Sequence, residues 1–290
     1  MGRHKKRTET IVEVSVVGPD RKGVVAEITN AIFKRGGNIQ QISQNVVKGL
    51  FGMQLEASFN QTDRKDLDES MRILSQKLRM EIKIHYQEPD RLKNIAVLVS
   101  KEEHCLQKIL DARLKGEINA NISIILGSDD TFKEMAKKAG VTYHAVDHQK
   151  GQQEAESRIL KLIENFNIDL IVLARYMRVL SPNFVWRYPN RIINIHPSLL
   201  PAFPGAYAYI QAYERGAKIV GCTAHFVTDE LDQGPIIHQD AFSVLPSDTL
   251  KSIKEKGSEL EAKSLVKAIK LYLDDKLEVY WGRVQVRERT

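Results

Sequence analysis

The sequence predicts an α/β chain of two domains, a small β-α-β-β-α-β unit followed by a larger one built on a mostly parallel sheet. Three observations predict it. Up to Tyr86, strand and helix patterns follow each other in the order of the ferredoxin-like arrangement. Gln87-Glu88-Pro89-Asp90-Arg91 then forms a short polar joint. Beyond it, apolar strands alternate with helical stretches, the grammar of a parallel sheet covered on both faces. A length of 290 residues suits two domains. The expected division is a flexible basic arm over residues 1–9, a first domain over 10–87 and a second over 88–290.

Each element has its own signal. Residues 10–18 alternate between apolar and polar and read as a strand. Gly18-Pro19-Asp20 turns the chain, and apolar residues at 24, 25, 28, 31 and 32 mark one face of a helix that Gly36-Gly37 stops. Two strands follow, 38–47 and 51–59, around Lys48-Gly49. Leu67, Met71, Leu74 and Leu78 lie at helical spacing, and residues 80–84 alternate again. In the second part, strands are expected at 95–99, 122–126, 169–174 and 191–195, and helices at 103–114, 132–139, 152–165 and 181–187. Two more strands follow at 219–227 and 235–242. A long helix covers 249–273, and 277–286 reads as a terminal strand or hairpin.

Composition narrows the function classes. Charged residues make up 28% and hydrophobic residues 42%, the balance of a soluble globular protein. No apolar run reaches the roughly 18 residues of a membrane span, and the basic start lacks the apolar core of a secretory signal. Cys105 and Cys222 form no disulfide framework, so a reducing cytoplasm is the expected setting. Most of the net charge of +6 comes from Arg3, Lys5, Lys6 and Arg7. A short basic arm without aromatic platforms is no nucleic-acid surface. No glycine-rich phosphate loop follows a strand, which disfavours dinucleotides and nucleoside triphosphates.

The candidate chemistry lies in Ile192-Ile193-Asn194-Ile195-His196-Pro197. The isoleucines make a short buried strand, and Asn194 and His196, two apart, point to one side of it. Pro197 and Pro201 end the strand. Asp232 follows in the turn Leu231-Asp232-Gln233-Gly234. Amide, imidazole and carboxylate suit acyl or formyl transfer: an oxyanion donor, a proton carrier and a group that orders water. The pattern alone leaves open a structural histidine and a turn aspartate. His225, in Thr223-Ala224-His225-Phe226-Val227, is expected to line the same site. His144 and His148 imitate a metal pair, but on a strand they stand roughly 13 Å apart, too far for one ion. Cys105 beside His104 reads as a buried cysteine at a helix start.

These residues carry a resemblance. Asn194-Ile195-His196-Pro197-Ser198-Leu199-Leu200-Pro201 with Leu231-Asp232-Gln233-Gly234-Pro235 resembles the folate-dependent formyltransferase fold, which is Rossmann-like. Gly18-Pro19-Asp20-Arg21-Lys22-Gly23 followed by Ile28-Thr29-Asn30 resembles the opening of an ACT domain. The two in this order, with Ala174-Arg175-Tyr176-Met177-Arg178, resemble the formyltetrahydrofolate deformylases over nearly the whole chain.

The resemblance implies hydrolysis of 10-formyltetrahydrofolate to tetrahydrofolate and formate, balancing one-carbon pools for purine biosynthesis. It makes Asn194, His196 and Asp232 catalytic. It lays the folate ring against Met177, Arg178, Val179 and Leu180, with Val227 and Asp229 across from them. It implies no metal and no organic cofactor, an amino-acid effector at the ACT domain and homo-oligomers formed through that domain. Two departures bear on the acceptor. Pro197 and Leu199 stand where the deformylases carry His and Phe, as in the transferases, and Pro204-Gly205 is transferase-like too. Against that, Lys101-Glu102-Glu103 replaces the glycine-containing loop with which the ribonucleotide transferase holds a phosphate. Water is therefore the expected acceptor. The alternatives are a transferase to an amine such as glycinamide ribonucleotide, and an amino-acid sensor with an inert catalytic domain.

Overall fold

A computed structural model describes residues 9–60, 63–88, 91–205 and 207–287. The expected arm thus lies outside the described residues, apart from Glu9. Packing divides the chain into two units. One holds the described part of residues 1–90 together with Pro182–Pro189. The other holds Arg91–Ser181 and the described part of residues 190–290.

The first unit runs β1 (Thr10–Pro19), α1 (Val24–Lys34), β2 (Asn38–Val47), β3 (Leu50–Phe59), α2 (Arg64–Leu78) and β4 (Glu81–Tyr86). Its antiparallel sheet has the order β2-β3-β1-β4. Alternation explains the burial: Val12, Val14 and Val16 of β1 are fully buried beside Leu55 and Ala57 of β3. Asp63 caps α2, its carboxylate accepting from the amides of Lys65 and Asp66. α2 then lays Leu67, Met71, Leu74 and Leu78 on the core.

The second unit opens with β5 (Lys93–Val99), α3 (His104–Leu114), β6 (Ala120–Gly127), α4 (Lys133–Lys138), β7 (Thr142–Ala145), α5 (Gln152–Glu164) and β8 (Leu170–Ala174). After α6 (Pro182–Val185), which belongs to the first unit, come β9 (Ile192–His196), α7 (Ala208–Glu214), β10 (Ile219–Phe226), β11 (Ile236–Ser243) and α8 (Leu250–Leu273). The hairpin of β12 (Leu277–Tyr280) and β13 (Arg283–Val286) ends the described chain. The seven-stranded sheet is ordered β11-β10-β9-β8-β5-β6-β7. Its strands are parallel from β9 to β7, and β10 runs antiparallel to both of its neighbours, β9 and β11. The order reverses beside β5, whose neighbours are β6 and β8, and crevices for ligands form beyond strand ends at such a place. β5 and β8 are continuous apolar runs because both faces are covered. Thr249 and Ser252 form a capping box that starts α8. No helix among the described residues is long and apolar enough to cross a membrane.

Two elements differ from the pattern-based expectation. The helix expected over 181–187 is one turn, Pro182–Val185, and its segment packs with the first unit, not the second. Phe184, Val185 and Tyr188 are buried there, and Arg187 grips the Glu81 carboxylate at 2.7–3.0 Å. The helix α7 was not expected. It is short, and it begins after Tyr207 at φ 64°, without a side-chain cap to announce it.

The ring of Trp186 lies directly over Gly52 of β3. A Cβ at Gly52 would stand 2.2 Å from Trp186 Cε3. We expect Gly52→Ala to destabilise the protein by about 1–3 kcal/mol through overpacking, measured by denaturant unfolding. Adding Trp186→Leu to Gly52→Ala should recover part of that loss.

Candidate active site

The site grows from the pairing of β9 with β10, which sets Asn194 opposite His225 and His196 opposite Thr223. Residues opposite each other on one face of a ladder touch. Asn194 Nδ2 lies 3.2 Å from His225 Nε2. His225 Nδ1 lies 2.9 Å from the Phe226 carbonyl, which can only accept, so Nδ1 carries the proton. In the neutral ring Nε2 then accepts from the Asn194 amide. That contact fixes which way the amide is turned and leaves its second N–H for another acceptor. Burial pushes the His225 pKa down. The neighbouring charge of His196 adds to this, while the Phe226 carbonyl and Asp232 oppose it.

His196 is held by different partners. Its Nε2 lies 3.0 Å from the Phe203 carbonyl and must donate. Its Nδ1 faces Asp232 Oδ2 at 3.3 Å. A ring with its proton on Nε2 offers a lone pair there, so this approach is attractive when one further proton sits between imidazole and carboxylate. Histidine and aspartate form a close pair, nearly sealed from water, each side chain being 5% exposed. Asp232 is held at φ 56° in its turn, and its Oδ2 also accepts from Gly205 N–H at 2.8 Å. An aspartate tolerates this left-handed conformation better than most residues. The Thr223 hydroxyl fastens the 198–203 loop behind His196, donating to the Ser198 carbonyl at 2.7 Å and accepting from Leu200 N–H at 3.0 Å.

These groups open on a cleft of about 1170 Å³ within the second unit. Met177, Arg178, Val179 and Leu180 line one side, and Val227 and Asp229 line it as well. Met177 and Val179 are more than half exposed, apolar surface in wait of a cover. Their loop is held from beneath. Met177 N–H donates to Ser100 Oγ at 3.2 Å, Gln152 Nε2 to the Val179 carbonyl at 2.8 Å, and Ser181 N–H to buried Glu156 at 2.8 Å.

A second arm of the cleft is charged. Arg175 Nε and Nη2 each lie 2.9 Å from the two oxygens of Glu102, and Nε is 3.5 Å from Glu261 Oε2. Glu261, 1% exposed, also accepts from the Tyr209 hydroxyl at 2.7 Å and faces His104 Nε2 at 3.3 Å. His104, Cys105 and Glu261 converge within 4.8 Å, a spacing that could hold an ion. Arginine, tyrosine and histidine already occupy that carboxylate. The Cys105 thiol is pushed well up, first by burial and then by the charge of Glu261, which makes it a poor ligand.

With this geometry in view, comparison with known proteins decides the family. The formyl transferase family matches residues 93–269 and the ACT domain family residues 10–85. A formyltetrahydrofolate deformylase of Synechocystis is 38% identical across 92% of this chain and 95% of its own length. The chain belongs to the formyltetrahydrofolate deformylase family. A crystal structure of a Pseudomonas syringae deformylase is similar at a TM-score of 0.67, with 28% identity, over 98% of this chain and 96% of that one. A glycinamide ribonucleotide transformylase from Symbiobacterium toebii matches over 70% of this chain and 97% of its own, with 35% identity and a TM-score of 0.66.

In this deformylase-family chain, the structure brings Asn194, His196 and Asp232 together with His225, and puts Met177–Leu180, Val227 and Asp229 on the same cleft. The charged arm was missed. Tyr209 and Glu261 are 52 residues apart, with no local pattern to pair them. Arg175, directly after a buried strand, and Glu102, in Lys101-Glu102-Glu103, were the readable signals. His144 and His148 are no metal pair: His148 Nε2 meets the Tyr176 hydroxyl at 3.1 Å.

His225 makes a pH prediction. Its folded pKa lies below the ordinary value of 6.5, so the unfolded chain takes up this proton first as the pH falls. Its contribution to stability is complete above 6.5 and is lost as the pH falls through the folded value. Protonation also turns Nε2 into a donor against the Asn194 amide. Activity should therefore have an acid limb below 6.5 that disappears in His225→Gln, where an amide oxygen can still accept. His225→Phe should lower kcat about tenfold or more. A pH–rate profile of the three proteins checks this.

Proposed function

We propose that the protein hydrolyses 10-formyltetrahydrofolate to tetrahydrofolate and formate. The observation that carries this is the 3.3 Å approach of His196 Nδ1 to Asp232 Oδ2 beside the oriented amide of Asn194. The pterin ring and benzoyl group are flat and apolar-faced, and the strip from Met177 to Leu180, opposite Val227 and Asp229, is the surface they cover. The formyl group then reaches Asn194. Asp232 takes a proton from water as its oxygen bonds to the formyl carbon. The second N–H of Asn194 donates to the developing oxyanion. His196, linked to Asp232, supports that charge; Asp232 returns the proton to the departing N10, and the C–N bond breaks. Atoms and charge balance with water as the one co-reactant, so the step needs neither metal nor organic cofactor. Release of formate and tetrahydrofolate would link the enzyme to one-carbon balance and purine formation.

The transferase reading keeps in its favour the transferase-like Pro197, Leu199 and Pro204-Gly205 and the similarity to the Symbiobacterium transformylase. The first unit is proposed to bind an amino-acid effector and to assemble with a second copy. The support for assembly is β2, an edge strand whose Ile42 and Val46 are 43% and 45% exposed.

Purified protein given 10-formyltetrahydrofolate without any amine should release formate and tetrahydrofolate in equal amounts. Turnover seen only with an amine would reject hydrolysis, and no turnover in either case would favour the sensor. Asn194→Ala should lose about 100- to 1000-fold in kcat, and Asp232→Ala about 100- to 10,000-fold, with unchanged circular dichroism. Exhaustive chelation should leave the wild-type rate unchanged, and a loss restored by added metal would overturn the metal-free step.

A further inference from the structure

The charged arm of the cleft plays no part in the hydrolytic step. Arg175 is 11% exposed in its side chain, and its guanidinium is spent on carboxylates: a two-point pair with Glu102 and a third approach to Glu261. Burial works to raise the Glu102 pKa, and the Arg175 hydrogen bonds and charge outweigh it, so the carboxylate stays ionised. Glu261 is set by Tyr209, whose ring lies against Gly257 so closely that a Cβ there would stand 2.3 Å from Tyr209 Cζ. Glu103 and Glu255 line the same arm.

An amine acceptor that carries a phosphate, such as the ribonucleotide named for the Symbiobacterium transformylase, needs a cation to receive that group. Arg175 is the well-placed one, because a guanidinium matches phosphate with two parallel hydrogen bonds. Here those two donors are taken. We propose that Glu102 determines the acceptor: by holding Arg175 in a two-point pair it denies the arm the one guanidinium that could take a phosphate by two parallel hydrogen bonds, so that a phosphate-bearing amine is excluded and water reaches the formyl carbon. The proposal deepens the hydrolytic reading and rests on it.

Removing the Glu102 charge leaves Arg175 with Glu261 on one side and a free guanidinium edge on the other. The test is calorimetric titration of the full-length protein with glycinamide ribonucleotide and with inorganic phosphate, without folate. Wild type should bind neither at millimolar concentration. Glu102→Gln should bind both at least about tenfold more tightly, with Glu102→Ala as a second charge-removing variant. Glu102→Asp, which keeps the charge, should behave as wild type, and E102Q/R175Q should lose the gained binding. The proposal is overturned if wild type binds the ribonucleotide as tightly as E102Q, or if the double variant keeps the gain. Formate release without an amine is measured separately. Its absence would fail the hydrolytic reading, while the titrations still report whether Glu102 masks Arg175.

Discussion

The alignment of β9 with β10 is the constraint on which the site depends. A slip of one residue would turn Asn194 and His196 to the other face of the sheet and separate both from His225. In the observed register, one buried histidine serves as an acceptor and the other as a donor. The distinction comes from backbone carbonyls, Phe226 for His225 and Phe203 for His196. Neither carbonyl belongs to the chemistry, yet together they decide which nitrogens carry protons. The amide of Asn194 and the carboxylate of Asp232 inherit their roles from that assignment.

The cleft divides its electrostatics between two arms. Along Met177–Leu180 it offers apolar surface backed by hydrogen bonds to Ser100, Gln152 and Glu156. Along Glu102, Arg175 and Glu261 one guanidinium is shared between two carboxylates. A buried ion cluster of this kind adds little net stability, because desolvation offsets most of the attraction. Its consequence lies in what it leaves unavailable to a ligand.

The first unit recruits a distant piece of chain. Pro182–Pro189 follows within two residues of Leu180, which lines the cleft, and its Trp186 and Arg187 are fastened to Gly52 and Glu81. A helix of a single turn has no stability of its own. It persists because tertiary packing buries Phe184 and Val185.

Much of the fold was determined by the sequence itself, because period and punctuation are local. Alternation marked β1 to β4, and continuous apolar runs marked β5 and β8. The spacing of Asn194 and His196 already put both on one side of a strand. Tertiary structure alone decided the rest. Strand order, the pairing that brings His225 to Asn194, and the meeting of Arg175, Glu102, Tyr209 and Glu261 depend on residues far apart in the chain. The proton positions depend on backbone carbonyls that no side-chain pattern encodes. Periodicity reports which face of an element is buried. It carries no information on which buried faces meet, since that is settled by packing the whole chain at once.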